Sequence, residues 1–130
     1  ILDGAHNPGA IEAFAESVNT QRGNNFEKII LFSAVKEKEY ETMIHMLCES
    51  VDAKQYILTQ IQNERGVSTK ELADVFQKYT DKKIIEEENL EKAFYMALEE
   101  KGEHGKVYCL GSLYLIGMLK ELIAGGKKHA

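Results

Sequence analysis

The sequence predicts an α/β domain with a Rossmann-like, three-layer architecture: a mostly parallel sheet of five to six strands with helices on both faces. Strand-like and helix-like segments alternate five times along the chain, and repeated βα units imply parallel strands joined by right-handed crossovers. The strand-like segments are short apolar runs, typical of a sheet that is covered on both faces. The predicted strands are Ile1–Asp3, Lys28–Ala34, Gln55–Thr59, Lys83–Glu86 and Lys106–Leu110.

Each strand is followed by an amphipathic segment, whose apolar residues recur at spacings of three and four and are expected to face the sheet. These segments predict five helices. Their apolar stripes are Ile11, Phe14, Ala15 and Val18; Tyr40, Met43, Ile44 and Leu47; Leu72, Val75, Phe76 and Tyr79; Leu90, Ala93, Phe94, Ala97 and Leu98; and Leu115, Ile116, Leu119, Leu122 and Ile123.

Helix-start signals precede three of these stripes. Pro8, the only proline in the chain, suits the first position of a helix, and Asn7 before it is a good N-cap. Ser68–Glu71 forms a capping box, and Asn89 is an N-cap for the fourth helix. The helices are therefore expected to begin at these residues.

The composition is that of one globular domain. The chain has 130 residues, of which 44% are hydrophobic and 28% charged, and this length is enough to bury a real core. A net charge of −5 disfavours a sequence-independent nucleic-acid binder, and no apolar run approaches the roughly 20 residues that span a bilayer. We therefore expect neither nucleic acid nor membrane as a partner. Cys48 and Cys109 are expected to be buried structural thiols, in keeping with a reducing cytoplasm.

Polar residues follow the predicted strands at their carboxyl ends, where open α/β sheets bind ligands. The turn after the first strand carries Asp3 and His6 beside a helix N-terminus, which attracts anions. Lys36 and Lys38 follow the second strand, and Arg65 follows the third. This arrangement favours an anionic ligand at one edge of the sheet.

Each of these positions also has a purely structural interpretation. An aspartate in a turn, such as Asp3, often bonds nearby backbone N–H groups, and Ser112 suits an N-cap for the last helix. Lys36 and Lys38 lie in an alternating charged run, which is usually solvated surface. Tyr114 is expected to pack against the core.

Common nucleotide and metal motifs are absent from the sequence. It contains neither a GxxxxGK[ST] phosphate loop nor a GxGxxG fingerprint, so the chain has no visible means of binding a nucleoside triphosphate unaided. No pair of its four histidines has the spacing of metal ligands, and no metal site is expected.

Several segments resemble the C-terminal domain of folylpolyglutamate synthases and dihydrofolate synthases, in the Mur ligase superfamily. Asp3–Pro8 reads DGAHNP, as in the signature of that family, and Gly111–Gly117 reads GSLYLIG, similar to its GSLYLVG turn. Between them, Phe32–Tyr40 is similar to the family's strand and lysine-acidic turn. Arg65 lies in a segment that resembles an asparagine-proline-arginine stretch, with Glu64 in place of the proline.

The resemblance implies an ATP-dependent amide ligase. A folate or dihydropteroate carboxylate would be phosphorylated by ATP, and the amine of L-glutamate would attack the acyl phosphate. ATP and Mg²⁺ would be bound mainly by a separate N-terminal ATPase domain, over which this domain closes. Asp3 would contact the nucleotide through its ribose hydroxyls, and His6, the catalytic candidate, would lie near the acyl phosphate. The implied binding residues for glutamate or phosphate are His6, Ser112, Lys36, Lys38 and Arg65.

Two other functions stay open on the sequence. The chain could belong to another Mur-type ligase, which joins a different amino acid to a different carboxylate, although the GSLY stretch favours the folate branch. It could also be a stand-alone Rossmann-like binding module. Because the chain starts at Ile1 rather than Met, we expect a piece of a longer cytoplasmic protein, inactive as an isolated domain.

Overall fold

The computed structural model describes residues 5–20, 26–36 and 39–129, with side chains through residue 125. Within these ranges, four strands alternate with five helices. The elements are α1 (Pro8–Thr20), β1 (Lys28–Phe32), α2 (Tyr40–Ser50), β2 (Gln55–Leu58), α3 (Thr69–Tyr79), β3 (Lys83–Glu86), α4 (Leu90–Glu100), β4 (Lys106–Leu110) and α5 (Leu113–His129).

The four strands form one parallel sheet in the order β3-β2-β1-β4. The α/β class and the parallel sheet are therefore confirmed. The prediction of five to six strands was wrong for the described residues, because only four of their apolar runs pair in the sheet. The predicted strand Ile1–Asp3 lies outside the described residues.

The connections reverse direction once along the sheet. β1, β2 and β3 lie side by side in chain order and are joined through α2 and α3, whereas the connection through α4 returns the chain to the other side of β1. Right-handed crossovers put helices on one face while the chain moves one way and on the opposite face when it reverses. The reversal leaves a crevice at the carboxyl ends of β1 and β4, which is the usual ligand site of such folds.

The core has two halves, one on each face of the sheet. On one face, residues such as Ile30 and Tyr108 pack against α1, α2 and α3, with the ring of Phe14 in edge contact with Tyr108 at 5.1 Å between centroids. On the other face, residues such as Ile29 and Cys109 pack against α4 and α5. All five residues of β1 are buried, as expected for a central strand covered on both faces.

The residues of the predicted apolar stripes belong to the two buried clusters or pack against them, except at two positions. Leu98 is 36% exposed and Ile123 is 37% exposed. α4 contacts the sheet through Ala93 and Ala97, and Leu98 is rotated by about 100° from Ala97 around the helix axis. α5 packs against the core through Leu115, Leu119 and Leu122, and Ile123 is rotated by about 100° from Leu122 around the helix axis.

The predicted helix caps are confirmed by their hydrogen bonds. The Asn7 side-chain oxygen accepts from the Ala10 backbone N–H at 2.8 Å, and the Ser68 hydroxyl oxygen accepts from Glu71 N–H at 3.1 Å. The Asn89 side chain accepts from the third residue of α4 at 3.0 Å. Each cap bonds an N–H group that the first helical turn cannot pair internally.

The two cysteines are free thiols. Cys109 is fully buried in β4, as predicted, whereas Cys48 is only partly buried on α2. Burial raises the pKa of each thiol to about 11, which keeps both protonated and weakly reactive at neutral pH. Among the helices that the structure describes, none is long and apolar enough to cross a membrane.

Candidate active site

A cavity of about 430 Å³ lies at the carboxyl ends of β1 and β4, where the chain reverses along the sheet. It brings together four segments: the residues before α1, the loop after β1, the loop after β2, and the β4–α5 turn with the start of α5. Its lining residues are His6, Val35, Arg65, Gly111, Ser112, Leu113 and Tyr114. Three of the sequence-predicted site residues are therefore neighbours in space.

Gly111 shapes the turn from β4 into α5. Its φ is +105°, a backbone conformation that L-residues with a Cβ rarely adopt. A Cβ at this position would also collide with the Ser33 carbonyl oxygen and lie 3.0 Å from the Phe32 ring. The Gly111 N–H donates to the Ala5 carbonyl at 2.6 Å, which fixes the segment before α1 against the β4–α5 turn. This hydrogen bond places His6 beside Ser112.

Ser112 caps α5. Its hydroxyl oxygen accepts from the Tyr114 N–H at 3.1 Å, and the residue is only 2% exposed. The structural interpretation of Ser112 as an N-cap is thus confirmed. The cap also anchors the positive end of the α5 dipole at the wall of the cavity, a favourable environment for an anion.

His6 lies half-buried on the cavity wall, one residue before the cap of α1. The N-terminus of α1 is therefore close to the cavity as well. An imidazole in this position can donate a ring N–H to an anion.

Arg65 reaches the cavity from the loop after β2. Its backbone N–H donates to the Asn63 side-chain oxygen at 2.8 Å, and its carbonyl accepts from Lys36 N–H at 2.8 Å. The adjacent Gly66 bridges Val35 in antiparallel pairing. These contacts fix the loop, although Glu64 occupies the place of the proline in the resembled family. They also explain why β1 ends at Phe32, because the following residues pair with this loop instead of extending the parallel ladder.

Lys36 is exposed and does not line the cavity, although its backbone bonds Arg65. Lys36 therefore has no place in the cavity wall, and its role in binding glutamate or phosphate stays a prediction. Asp3 and Lys38, also predicted site residues, lie outside the described residues.

Tyr114 is the site residue that the sequence prediction missed. It was expected to pack in the core, but it is 46% exposed and lines the cavity. Its hydroxyl oxygen accepts from Arg65 Nη1 at 2.8 Å. The buried stripe of α5 contains Leu115 and Leu119, and this spacing already excludes position 114 from the buried face. The expectation of core packing was therefore wrong, because Tyr114 lies on the face of α5 that turns away from the sheet.

The charges and dipoles at the cavity suit an anion. Arg65 supplies a permanent cation, His6 supplies a ring N–H donor, and none of the described lining residues is acidic. Val35 and Leu113 add apolar surface to the wall. Within the ranges that the structure describes, no three His, Cys, Asp or Glu side chains come together as metal ligands.

These features define a class of protein: a parallel α/β domain with a crevice at its topological switch point, whose lining suits an anion. Residues 1–113 match the family described as "Mur ligase, glutamate ligase domain", and the chain belongs to this family. No curated protein sequence shows significant similarity to the chain.

Solved structures share this fold over nearly the whole chain. E. coli FolC in complex with DHPP and ADP has a TM-score of 0.84 and 18% identity, covering 96% of this chain and 28% of that chain. The bifunctional folylpolyglutamate synthase/dihydrofolate synthase of Yersinia pestis, complexed with AMPPNP and Mn ion, has a TM-score of 0.75 and 17% identity. The match covers 95% of this chain and 28% of that chain. The folylpolyglutamate synthase of Thermotoga maritima has a TM-score of 0.76 and 23% identity, and the match covers 95% of this chain and 27% of that chain. The chain thus spans less than a third of the length of these proteins.

Proposed function

We propose that this chain is the C-terminal domain of an ATP-dependent ligase that adds L-glutamate to a folate or dihydropteroate carboxylate. The observation that carries the proposal is the convergence of His6, Arg65 and the α5 N-terminus on one cavity at the switch point of the sheet. Membership of the glutamate ligase domain family supports the reaction class. The similar structures of folylpolyglutamate synthases support the folate branch over other Mur-type ligases.

The proposed reaction has two chemical steps. The γ-phosphoryl group of ATP is transferred to the folate carboxylate, which gives an acyl phosphate and ADP. The amine of glutamate then attacks the acyl carbon, a proton leaves the nitrogen, and inorganic phosphate departs with the electrons of the broken C–O bond. The domain contributes by holding the amino acid and the leaving phosphate in position, which is catalysis by orientation.

Arg65 binds a carboxylate of the incoming glutamate in this proposal. A guanidinium presents its N–H donors in a planar fork that matches a carboxylate, and charge-assisted bonds of this kind are stronger than neutral ones. His6, beside the α1 and α5 N-termini, contacts the phosphate of the acyl phosphate. We also assign Lys36 and Lys38 to binding of the anionic substrate through their positive charge, and Asp3 to the ribose of the nucleotide.

The nucleotide and the metal ion require the rest of the protein. The chain has no phosphate loop, and the described residues offer no ligand set for Mg²⁺, so no step here passes through the ion. The chain spans 28% of the FolC structure, which binds ADP. We place the ATP and Mg²⁺ sites in an N-terminal ATPase domain that faces this cavity, within a cytoplasmic enzyme.

The proposal is tested by comparing the isolated 130-residue domain with the full-length protein that contains it. Phosphate release is measured with ATP, Mg²⁺, tetrahydrofolate and L-glutamate, and again with dihydropteroate as acceptor. We expect the full-length protein to release phosphate only when both glutamate and an acceptor are present, and the isolated domain to fold without turnover. Turnover by the isolated domain, or full-length turnover that does not depend on glutamate, would contradict the proposal.

A further inference from the structure

The contact between Arg65 and Tyr114 joins two separate elements at the cavity. Arg65 lies in the loop between β2 and α3, whereas Tyr114 lies in the first turn of α5. The Arg65 Nη1 donates to the Tyr114 hydroxyl at 2.8 Å, and the guanidinium carbon lies 5.5 Å from the centroid of the tyrosine ring. A hydrogen bond and a cation–π contact together restrict both the position and the orientation of the guanidinium.

The exposure of Tyr114 shows that its contact with Arg65 is not part of the packing of the core. Tyr114 is 46% exposed, its neighbour Leu113 is 58% exposed, and neither belongs to the two clusters of buried residues. The ring therefore contributes little apolar burial to folding. Its main described interaction is with a charged side chain in the cavity wall.

The backbone of Arg65 is fixed independently of Tyr114. Asn63 and Lys36 bond its N–H and its carbonyl, each at 2.8 Å. A long arginine side chain has many rotamers, and it loses much of that freedom when it binds a ligand. A contact that already orders the side chain removes part of that loss and strengthens binding.

We propose that Tyr114 is a positioning residue that orders the Arg65 guanidinium for a carboxylate of the incoming amino acid. The inference rests on the proposed function, because it assumes that Arg65 binds this carboxylate. A guanidinium has five N–H donors, so one bond to Tyr114 is compatible with bidentate binding of a carboxylate. Tyr114 itself need not touch the amino acid.

The first test is Tyr114→Phe in the full-length enzyme, which removes the hydroxyl and keeps the ring. We expect the KM for glutamate to rise about three- to tenfold, as for the loss of one hydrogen bond. The kcat and the KM for ATP should change less than about twofold, because the lost interaction acts on binding of the amino acid. Tyr95→Phe is the matched control, since Tyr95 is 49% exposed on α4 and does not line this cavity.

The second test is a double-mutant cycle with Arg65→Ala, with thermal melts to verify that every variant folds. If Tyr114 acts through Arg65, Tyr114→Phe should raise the KM for glutamate in the wild-type background and have no further effect in the Arg65→Ala background. An equal rise in both backgrounds would overturn the proposal. So would an unchanged KM in either single variant.

Failure of this inference is distinguishable from failure of the proposed function. If full-length turnover depends on an amino acid other than glutamate, the proposed substrate is wrong. The same cycle, measured with that amino acid, still decides whether Tyr114 positions Arg65.

Discussion

Gly111 shows how one residue can determine the geometry of the site. Its positive φ and its approach to the Ser33 carbonyl allow β4 to turn directly into α5, so that Ser112 caps the helix at the cavity wall. The sequence indicated a turn here, because Gly111 and Ser112 separate an apolar strand from an amphipathic helix. The contact with Ser33 was not predictable, because it depends on the register between β4 and β1.

We expect Gly111→Ala to destabilise the protein by at least about 2 kcal/mol, because the substitution combines backbone strain with a collision in a packed region. Gly117→Ala is the matched control. Gly117 lies inside α5 and a Cβ there meets nothing within 4 Å, so alanine should stabilise the helix by about 0.5–1 kcal/mol. The free energy of unfolding of each variant is measured by urea denaturation. Equal stability of the two variants would show that the turn does not need glycine.

The elements themselves were largely predictable from local sequence. The stripes of α1 and α3 and the caps Ser68 and Asn89 follow from periodicity and from the hydrogen-bonding chemistry of short polar side chains. The exposure of Leu98 was not predictable, because it depends on which face of α4 meets the core, and that face is centred on Ala93 and Ala97. The end of β1 also depends on a tertiary contact, namely the pairing of Val35 with Gly66.

Ser68→Ala tests whether the cap fixes the start of α3. Its hydroxyl bonds Glu71 N–H at 3.1 Å, and the loss of such a cap costs about 1 kcal/mol. Ser17→Ala in the exposed middle of α1 is the control, and it should be neutral or slightly stabilising because alanine is the better helix former. The measurement is the shift in thermal midpoint of each variant. A Ser68→Ala midpoint equal to that of the wild type would contradict the capping role.

At the scale of the whole molecule, the strand order creates the site. Sequence position alone indicated that His6, Arg65 and Ser112 follow strands or begin helices, and parallel strands end at the same edge of a sheet. The order β3-β2-β1-β4 then brings these three residues to one crevice and leaves Lys36 outside its wall. The sequence could not show which of these residues line the cavity and which lie beside it, because both kinds follow strand ends. That distinction depends on the tertiary structure.

The most direct test of the central claim is the steady-state kinetics of His6→Ala in the full-length enzyme, paired with thermal melts. His6 lies on the cavity wall and outside the buried core, so its loss should lower kcat/KM for glutamate at least about tenfold while the melting temperature stays close to wild type. His104→Ala, with a side chain 91% exposed and away from this cavity, is the control and should match wild type in both measurements. Wild-type kinetics of His6→Ala, or a loss of activity that only follows a lowered melting temperature, would contradict the account.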